Sequence, residues 1–188
     1  MEIAHVDHIL RAAGEATGQT HFVLIGSAAI LAWQSVVPTD MAQTREADLF
    51  AYDVDPQTAE RIADEIDGVL GHSSQFDDTY GYYCDGVGPD TAILPVDWLS
   101  RSKHYSSPST GGVTAIVPHP NDIAVAKLCA GREKDVSWLR AAIRHAIVDP
   151  AAMRANLARL PDDGRAPSLI VLQARLEVVE RGRPPSAG

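Results

Sequence analysis

Cysteine is nearly missing. Cys84 and Cys129 are the only two in 188 residues, too far apart in sequence for a CxxC redox pair or half a zinc site, and too few for a disulfide scaffold. A reducing, cytoplasmic setting is the expectation. Long hydrophobic runs are missing too. The most apolar neighbourhood, Phe22 to Trp33, is broken by Gly26 and Ser27 and stops well short of the roughly 20 residues needed to cross a bilayer, so no membrane partner is expected. At the amino end Glu2, His5, Asp7 and His8 interrupt any apolar run before it reaches secretory-signal length. Cations are scarce in the first half. Residues 1–100 hold Arg11, Arg45 and Arg61 against 17 acids, net −14, whereas 101–188 hold 13 cations against eight acids, net +5. With a whole-chain charge of −9, the chain is no uniformly basic wrapper of nucleic acid. Neither the GxGxxG fingerprint nor the GxxxxGK loop occurs, which excludes the two commonest glycine-rich phosphate cradles.

What is present is ordinary globular material. Apolar residues make up 45% and charged residues 22%, enough for a core, and the length allows one domain or a compact domain with a small helical appendage. The charge asymmetry has two readings: a carboxylate-rich half that holds divalent cations beside a basic half that holds phosphates, or mutual solubilisation of two surfaces.

Periodicity lays out an α/β front half and a helical rear half. Ile3, Val6, Ile9, Leu10 and Ala13 mark an opening helix that exits at Gly18. His21–Ile25 has strand length and runs through Gly26-Ser27 into good helix formers from Ala28 to Trp33. A loop from Val36 to Thr44 precedes a strand over Glu46 to Tyr52 and a helix over Pro56 to Ile66, with turn chemistry resuming at Gly68. His72 to Thr79 reads as polar and irregular, Tyr80 to Val87 as a strand, Thr91 to Leu94 and Val113 to Val117 as two more, with a mobile loop from Ser100 to Gly112. Asn121 is the expected N-cap of a helix through Ala130, Gly131 its break, and Arg132 to Val148 the next helix. Asp149-Pro150 opens a third helix that Pro161 stops, and a fourth spans Ser168 to Arg181. The expected division is 1–118 as core, 119–182 as a helical region packed on it, and 183–188 as a disordered tail.

Two short patterns carry chemistry. Gly26-Ser27 lies where a strand feeds a helix, so backbone N–H groups and the positive helix end point at whatever stands before the turn, a phosphate seat; taken alone, a plain Ser27 N-cap is the commoner reading. In Glu46-Ala47-Asp48, residues i and i+2 of a strand share a face, so two carboxylates project together at a spacing suited to hard divalent cations. Like charges side by side repel, so the pair is either solvated or occupied by metal. Asp85 follows on a later strand.

In that order, these residues resemble the minimal nucleotidyltransferases of the polymerase-beta-like superfamily, which carry a Gly-Ser or Gly-Gly turn, an acid-x-acid strand and a third carboxylate. One branch, related to nucleotidyltransferase toxins of abortive-infection and toxin-antitoxin systems, is similar at Gly26-Ser-Ala-Ala-Ile-Leu31, Glu46-Ala-Asp48, Ile66-Asp-Gly-Val-Leu-Gly71, the segment Gly81 to Pro95, and Ala126-Lys-Leu-Cys-Ala-Gly-Arg-Glu-Lys-Asp135. The resemblance implies a fold of class α/β (α+β), a small mixed sheet flanked by helices and followed by a C-terminal helical region. It implies Mg²⁺ (or Mn²⁺) on Glu46, Asp48 and Asp85, a nucleoside triphosphate as substrate with phosphates at Gly26 and Ser27, and Lys127 and Arg132 on phosphates with Lys134 and Asp135 near the same cleft.

The sequence departs from the pattern in having Glu46 where Asp is commoner, and Asp90 and Asp97 compete with Asp85 for the third place. The implied reaction moves a nucleotidyl group to an acceptor hydroxyl, on a tRNA 3′ end or a protein, with a cognate antitoxin as an expected partner. Two alternatives stand beside it: a catalytically inactive, antitoxin-like or regulatory binding module on the same fold, and a nucleotidyltransferase for small, antibiotic-type acceptors. Tyr80, Tyr82 and Tyr83 read as core rather than as a base-stacking surface.

Overall fold

In the computed structural model, residues 1–181 are described; the expected tail, Arg183 to Gly188, lies outside them. The described chain forms a five-stranded mixed sheet and seven α-helices, as the α/β front and helical rear anticipate. No helix among the described residues is long and apolar enough to cross a membrane. Two units are distinguished, Met1–Thr91 with Ser102–Pro118, and Ala92–Arg101 with the described chain from His119 on.

The first unit opens with α1 (Ile3–Thr17), whose buried stripe of Val6, Ile9, Leu10 and Ala13 ends at Gly18, in the left-handed region at φ 73°. Strand β1 (His21–Ile25) follows and is buried from Phe22 on. It lies mid-sheet, antiparallel to β2 (Glu46–Ala51) and parallel to β5 (Thr114–Val117). Next, α2 (Pro56–Leu70) crosses over from β2 to the parallel edge strand β3 (Tyr83–Gly86). On the other side β5 pairs with antiparallel β4 (Lys103–Tyr105), giving the order β3-β2-β1-β5-β4. The Asp55 carboxylate caps α2 by accepting from the Gln57 and Thr58 N–H groups, ahead of Pro56 at the first helical position.

Several expectations yield to tertiary context here. Gly68 does not end α2, because Ala59, Ile62, Ile66 and Leu70 continue one buried stripe past it. His72 to Thr79 is not irregular. Ser74 accepts from the Asp77 N–H and starts α3 (Gln75–Tyr80), which ends at left-handed Gly81. Tyr80 therefore belongs to a helix, and the strand expected from Tyr80 to Val87 shortens to Tyr83–Gly86. Thr91 to Leu94 is a bend followed by irregular chain rather than a strand; Pro89 and Pro95 flank it, and proline cannot donate to a ladder. The expected mobile loop, Ser100 to Gly112, contains β4 and short 3₁₀ turns. It is tied to α1 by Asp7, which is buried and accepts from the Tyr105 hydroxyl at 2.6 Å and the Ser107 hydroxyl at 2.8 Å.

The second unit is built around α4 (Pro120–Ala130). Ile123, Ala124, Val125, Leu128 and Cys129 leave it buried on most sides, and α5 (Glu133–Arg144), α6 (Pro150–Leu157) and α7 (Leu169–Arg181) pack against it. The N-cap of α4 is His119, not Asn121: its ring accepts from the Asn121 N–H at 3.2 Å while Pro120 takes the first helical position. Gly131 ends α4 in the left-handed region. Arg175 of α7 reaches the end of α4 and donates to the Leu128 and Cys129 carbonyls at 2.9 and 2.7 Å. Helix α5 begins after Arg132 and stops at Arg144, short of the expected Val148, and Ala146 then adopts φ 55°. Asp149 caps α6 as expected, and α6 ends at Leu157, before Pro161. Buried Asp122 is satisfied by a bidentate pair from Arg101 and by the Asn156 amide at 2.6 Å, which fastens segment 92–101 to the helices.

His119 supplies a pH test of the second unit. Burial holds its imidazole below the ordinary histidine value, the Arg101 charge adds to this, and Asp122 opposes it. A depressed folded value means the unfolded chain takes up the proton first, so the cap's contribution is complete above the unfolded value of about 6.5 and is lost as pH falls through the folded one. Thermal melts from pH 7.5 to pH 5 should show a steeper decline for the native chain than for His119→Asn, which retains a capping acceptor that does not titrate.

Candidate active site

The carboxylates gather because of strand register. In the parallel β2/β3 pair, Glu46 stands opposite Tyr83 and Asp48 opposite Asp85, while the antiparallel β1/β2 pair sets Ile25 opposite Asp48. Directly opposed residues share a face of the sheet. Glu46, Asp48, Tyr83 and Asp85 therefore occupy one face, and Ala47 and Cys84, both fully buried, occupy the other. Helix α2 packs on β2 and β3. It lies so close to β3 that a methyl on Gly86 would stand 2.1 Å from the Ala63 carbonyl oxygen.

One carboxylate oxygen from each of Glu46, Asp48 and Asp85 lies within 4.8 Å of the others, and all three residues are half-buried. Burial pushes the Asp85 carboxyl above the ordinary carboxylate range; the charges of Glu46 and Asp67 push it further, and a hydrogen bond with the His72 backbone offsets part of the rise. The Cys84 thiol behind the acid face is pushed well up, first by burial and then by Asp48 and Asp85. It is no nucleophile at neutral pH. Three hard oxygen donors held within 4.8 Å of one another on short strands suit Mg²⁺ or Mn²⁺.

The glycine turn adjoins this face. Gly26 has φ 73°, a region that costs an L side chain about 1 kcal/mol or more. A methyl built there would stand 2.0 Å from Asp48 Oδ2. Glycine is thus required twice, by the backbone and by the carboxylate lying against it. The helix expected after the turn is a five-residue 3₁₀ segment, Ala28–Ala32. Ser27 is its N-cap residue in helical conformation without a side-chain cap bond, so neither the plain capping reading nor a full helix dipole describes the turn. Lys103 Nζ donates to the Ala32 carbonyl at 2.7 Å, satisfying a backbone acceptor at the end of the segment.

Asp97 lies in the second unit and binds Arg101 at 2.6 Å, and neither it nor Asp90 is in the carboxylate group. Within the second unit Lys127, Arg132 and Asp135 form a cluster of their own. Asp135 is fully buried and accepts from Lys127 Nζ at 3.2 Å and Arg132 Nε at 2.7 Å, and the Lys127 ammonium lies 5.1 Å from the centre of the Trp138 ring. Burial alone would raise the Asp135 carboxyl, but the Arg132 hydrogen bond and the Lys127 charge outweigh it and hold the group below its ordinary value. Lys134 is exposed.

Sequence reading missed the surroundings of Glu46. Tyr83, taken for core, is half-buried and directs its hydroxyl to Glu46 Oε2 at 3.5 Å, and His72 meets the Tyr83 ring edge-on at 5.1 Å between centres. The available signal was Tyr83 at i−2 from Asp85, hence on the same face. Tyr82, by contrast, is core: it is buried, stacked on His5 and bonded through its hydroxyl to His8 at 2.7 Å.

Comparison with curated proteins and with solved structures finds no match. A family model does match, from residue 2 to residue 159, a span that takes in the glycine turn, both acid strands and the helices through α6. The chain that carries this carboxylate face accordingly belongs to the family described as "Nucleotidyltransferase of unknown function (DUF6036)".

Proposed function

We propose that the protein is a metal-dependent nucleotidyltransferase that moves a nucleotidyl group from a nucleoside triphosphate to an acceptor hydroxyl. The observation that carries this is the convergence of Glu46, Asp48 and Asp85 on one face beside the Gly26 turn. In this reading the three carboxylates hold Mg²⁺ or Mn²⁺, which when bound neutralises phosphate charge and lowers the pKa of an oxygen bound to it.

The chain's own residues then divide the remaining work. Gly26, lacking a side chain, leaves room for Asp48 to lie against the turn, and the backbone there with Ser27 receives phosphate oxygens. The acceptor oxygen bonds to the α-phosphorus as the bond to pyrophosphate breaks, and the acceptor's proton passes to an Asp85 carboxylate oxygen. The resemblance also assigns phosphate contacts to Arg132 and Lys134, both of which are exposed. Lys127, buried against Asp135, acts by holding the partner of Arg132.

The acceptor class we favour bears phosphate, of the tRNA 3′-end kind, because residues 101–188 are net +5 and such charge adds salt-sensitive affinity. Protein acceptors and a toxin role with a cognate antitoxin rest on the resemblance alone.

Two variants test the assignment. Asp48→Asn should abolish Mg²⁺-dependent transfer of α-labelled nucleotide to acceptor while the melting temperature in EDTA holds or rises, because one of three mutually repelling charges is gone. Undiminished labelling would refute the reading. Gly26→Ala should lower both the melting temperature and Mn²⁺ affinity, since the new methyl displaces the Asp48 carboxylate; calorimetric Mn²⁺ titration reads the second effect directly.

A further inference from the structure

We propose that Tyr83 is a positioning residue for Glu46, its phenolic hydroxyl fixing the carboxylate that the longer glutamate side chain would otherwise leave loose. This rests on the metal-site reading above. Glu46 and Tyr83 are register partners in the parallel β2/β3 pair, so their side chains leave the sheet side by side. The hydroxyl faces Glu46 Oε2 at 3.5 Å, longer than an ordinary O–H···O bond. The phenol itself is placed by its neighbours: the residue is half-buried at the sheet edge, and the His72 ring stands edge-on to it at 5.1 Å.

The chemistry of the pair follows from chain length. A glutamate has one more rotatable bond than an aspartate, and Glu46 lies in a cluster with two further carboxylates that repel it. Left to itself it would swing toward water, at a cost in ligand order. A hydroxyl donor on the adjacent strand opposes that swing without adding charge, as outer-shell partners of metal carboxylates commonly do. An aspartate in the same place, shorter by about 1.5 Å, would not reach the phenol. The hydroxyl is therefore specific to the presence of glutamate, a property that neither packing nor strand propensity of the Tyr83 ring would confer.

The experiment is Mn²⁺ titration of the full chain, without nucleotide, by calorimetry and by the loss of free-ion paramagnetic resonance signal. Tyr83→Phe retains the ring and should bind Mn²⁺ about tenfold more weakly than the native chain, with an unchanged melting temperature in EDTA. Tyr82→Phe removes the neighbouring hydroxyl, which binds His8 instead, and should leave Mn²⁺ affinity as it was. In a Glu46→Asp background the Tyr83→Phe effect should vanish. Equal affinity of Tyr83→Phe and native protein, equal losses in Tyr82→Phe and Tyr83→Phe, or the same loss in both backgrounds would each overturn the proposal while native Mn²⁺ binding leaves the metal site standing. No Mn²⁺ binding by the native chain would overturn the metal-site reading and, with it, this one.

Discussion

Repulsion between like charges, imposed by strand register, is the constraint around which the first unit is arranged. The β2/β3 ladder sets Asp48 opposite Asp85, and the i, i+2 spacing sets Glu46 beside them. A sheet alternates faces with every residue, so a slip by one would drive these acids into the side where Ala47 and Cys84 are fully buried under α2. Burying bare carboxylates costs several kcal/mol each. The hydrophobic face thus locks the register, and the register forces the acids together. Stability and the proposed chemistry draw on the same ladder, one by burying Ala47 and Cys84 and the other by crowding the face opposite.

Gly26 belongs to the same constraint. Because β1 runs antiparallel to β2 with Ile25 opposite Asp48, the residue leaving β1 must pass the Asp48 carboxylate. Only a residue without Cβ does so, and only one at ease with a positive φ turns the chain there. The 3₁₀ segment that follows is too short to act as a strong dipole. In the function proposed above, phosphate oxygens at this turn rely on close backbone approach and the Ser27 side chain rather than on a helix field.

Much of this was legible in the sequence. The strand His21–Ile25 is an unbroken apolar run ended by a glycine, and α1 and α2 announce themselves by period and caps. The acid-x-acid pair is local, so its shared face needed no knowledge of the sheet. The third acid was another matter. Choosing among Asp85, Asp90 and Asp97 requires knowing which strand pairs with β2, a long-range fact that spacing does not encode. Short elements failed for a related reason. Helix α3 has six residues and one buried polar anchor, Asp77, which Arg45 pairs at 2.7 Å from a distant segment. Strand β4 has three residues held by β5 and by the Asp7 contacts. Neither carries a periodic signal, since tertiary partners rather than propensity hold them.

Lys127 shows how a matched motif and a physical role come apart. In sequence it is a lone cation on an apolar helix, and the resemblance reads it as a phosphate ligand. In the fold its ammonium lies against the fully buried Asp135 and the face of Trp138. A buried carboxylate needs cationic partners, and Lys127 is the buried one of the two that Asp135 has, regardless of any ligand. Arg132 differs: its side chain is 61% exposed and shares the same carboxylate. Both cations hold Asp135 ionised, Arg132 by its hydrogen bond first and Lys127 by its charge, and of the two only Arg132 faces solvent. The motif's order of residues therefore encodes an ion-pair scaffold within the second unit.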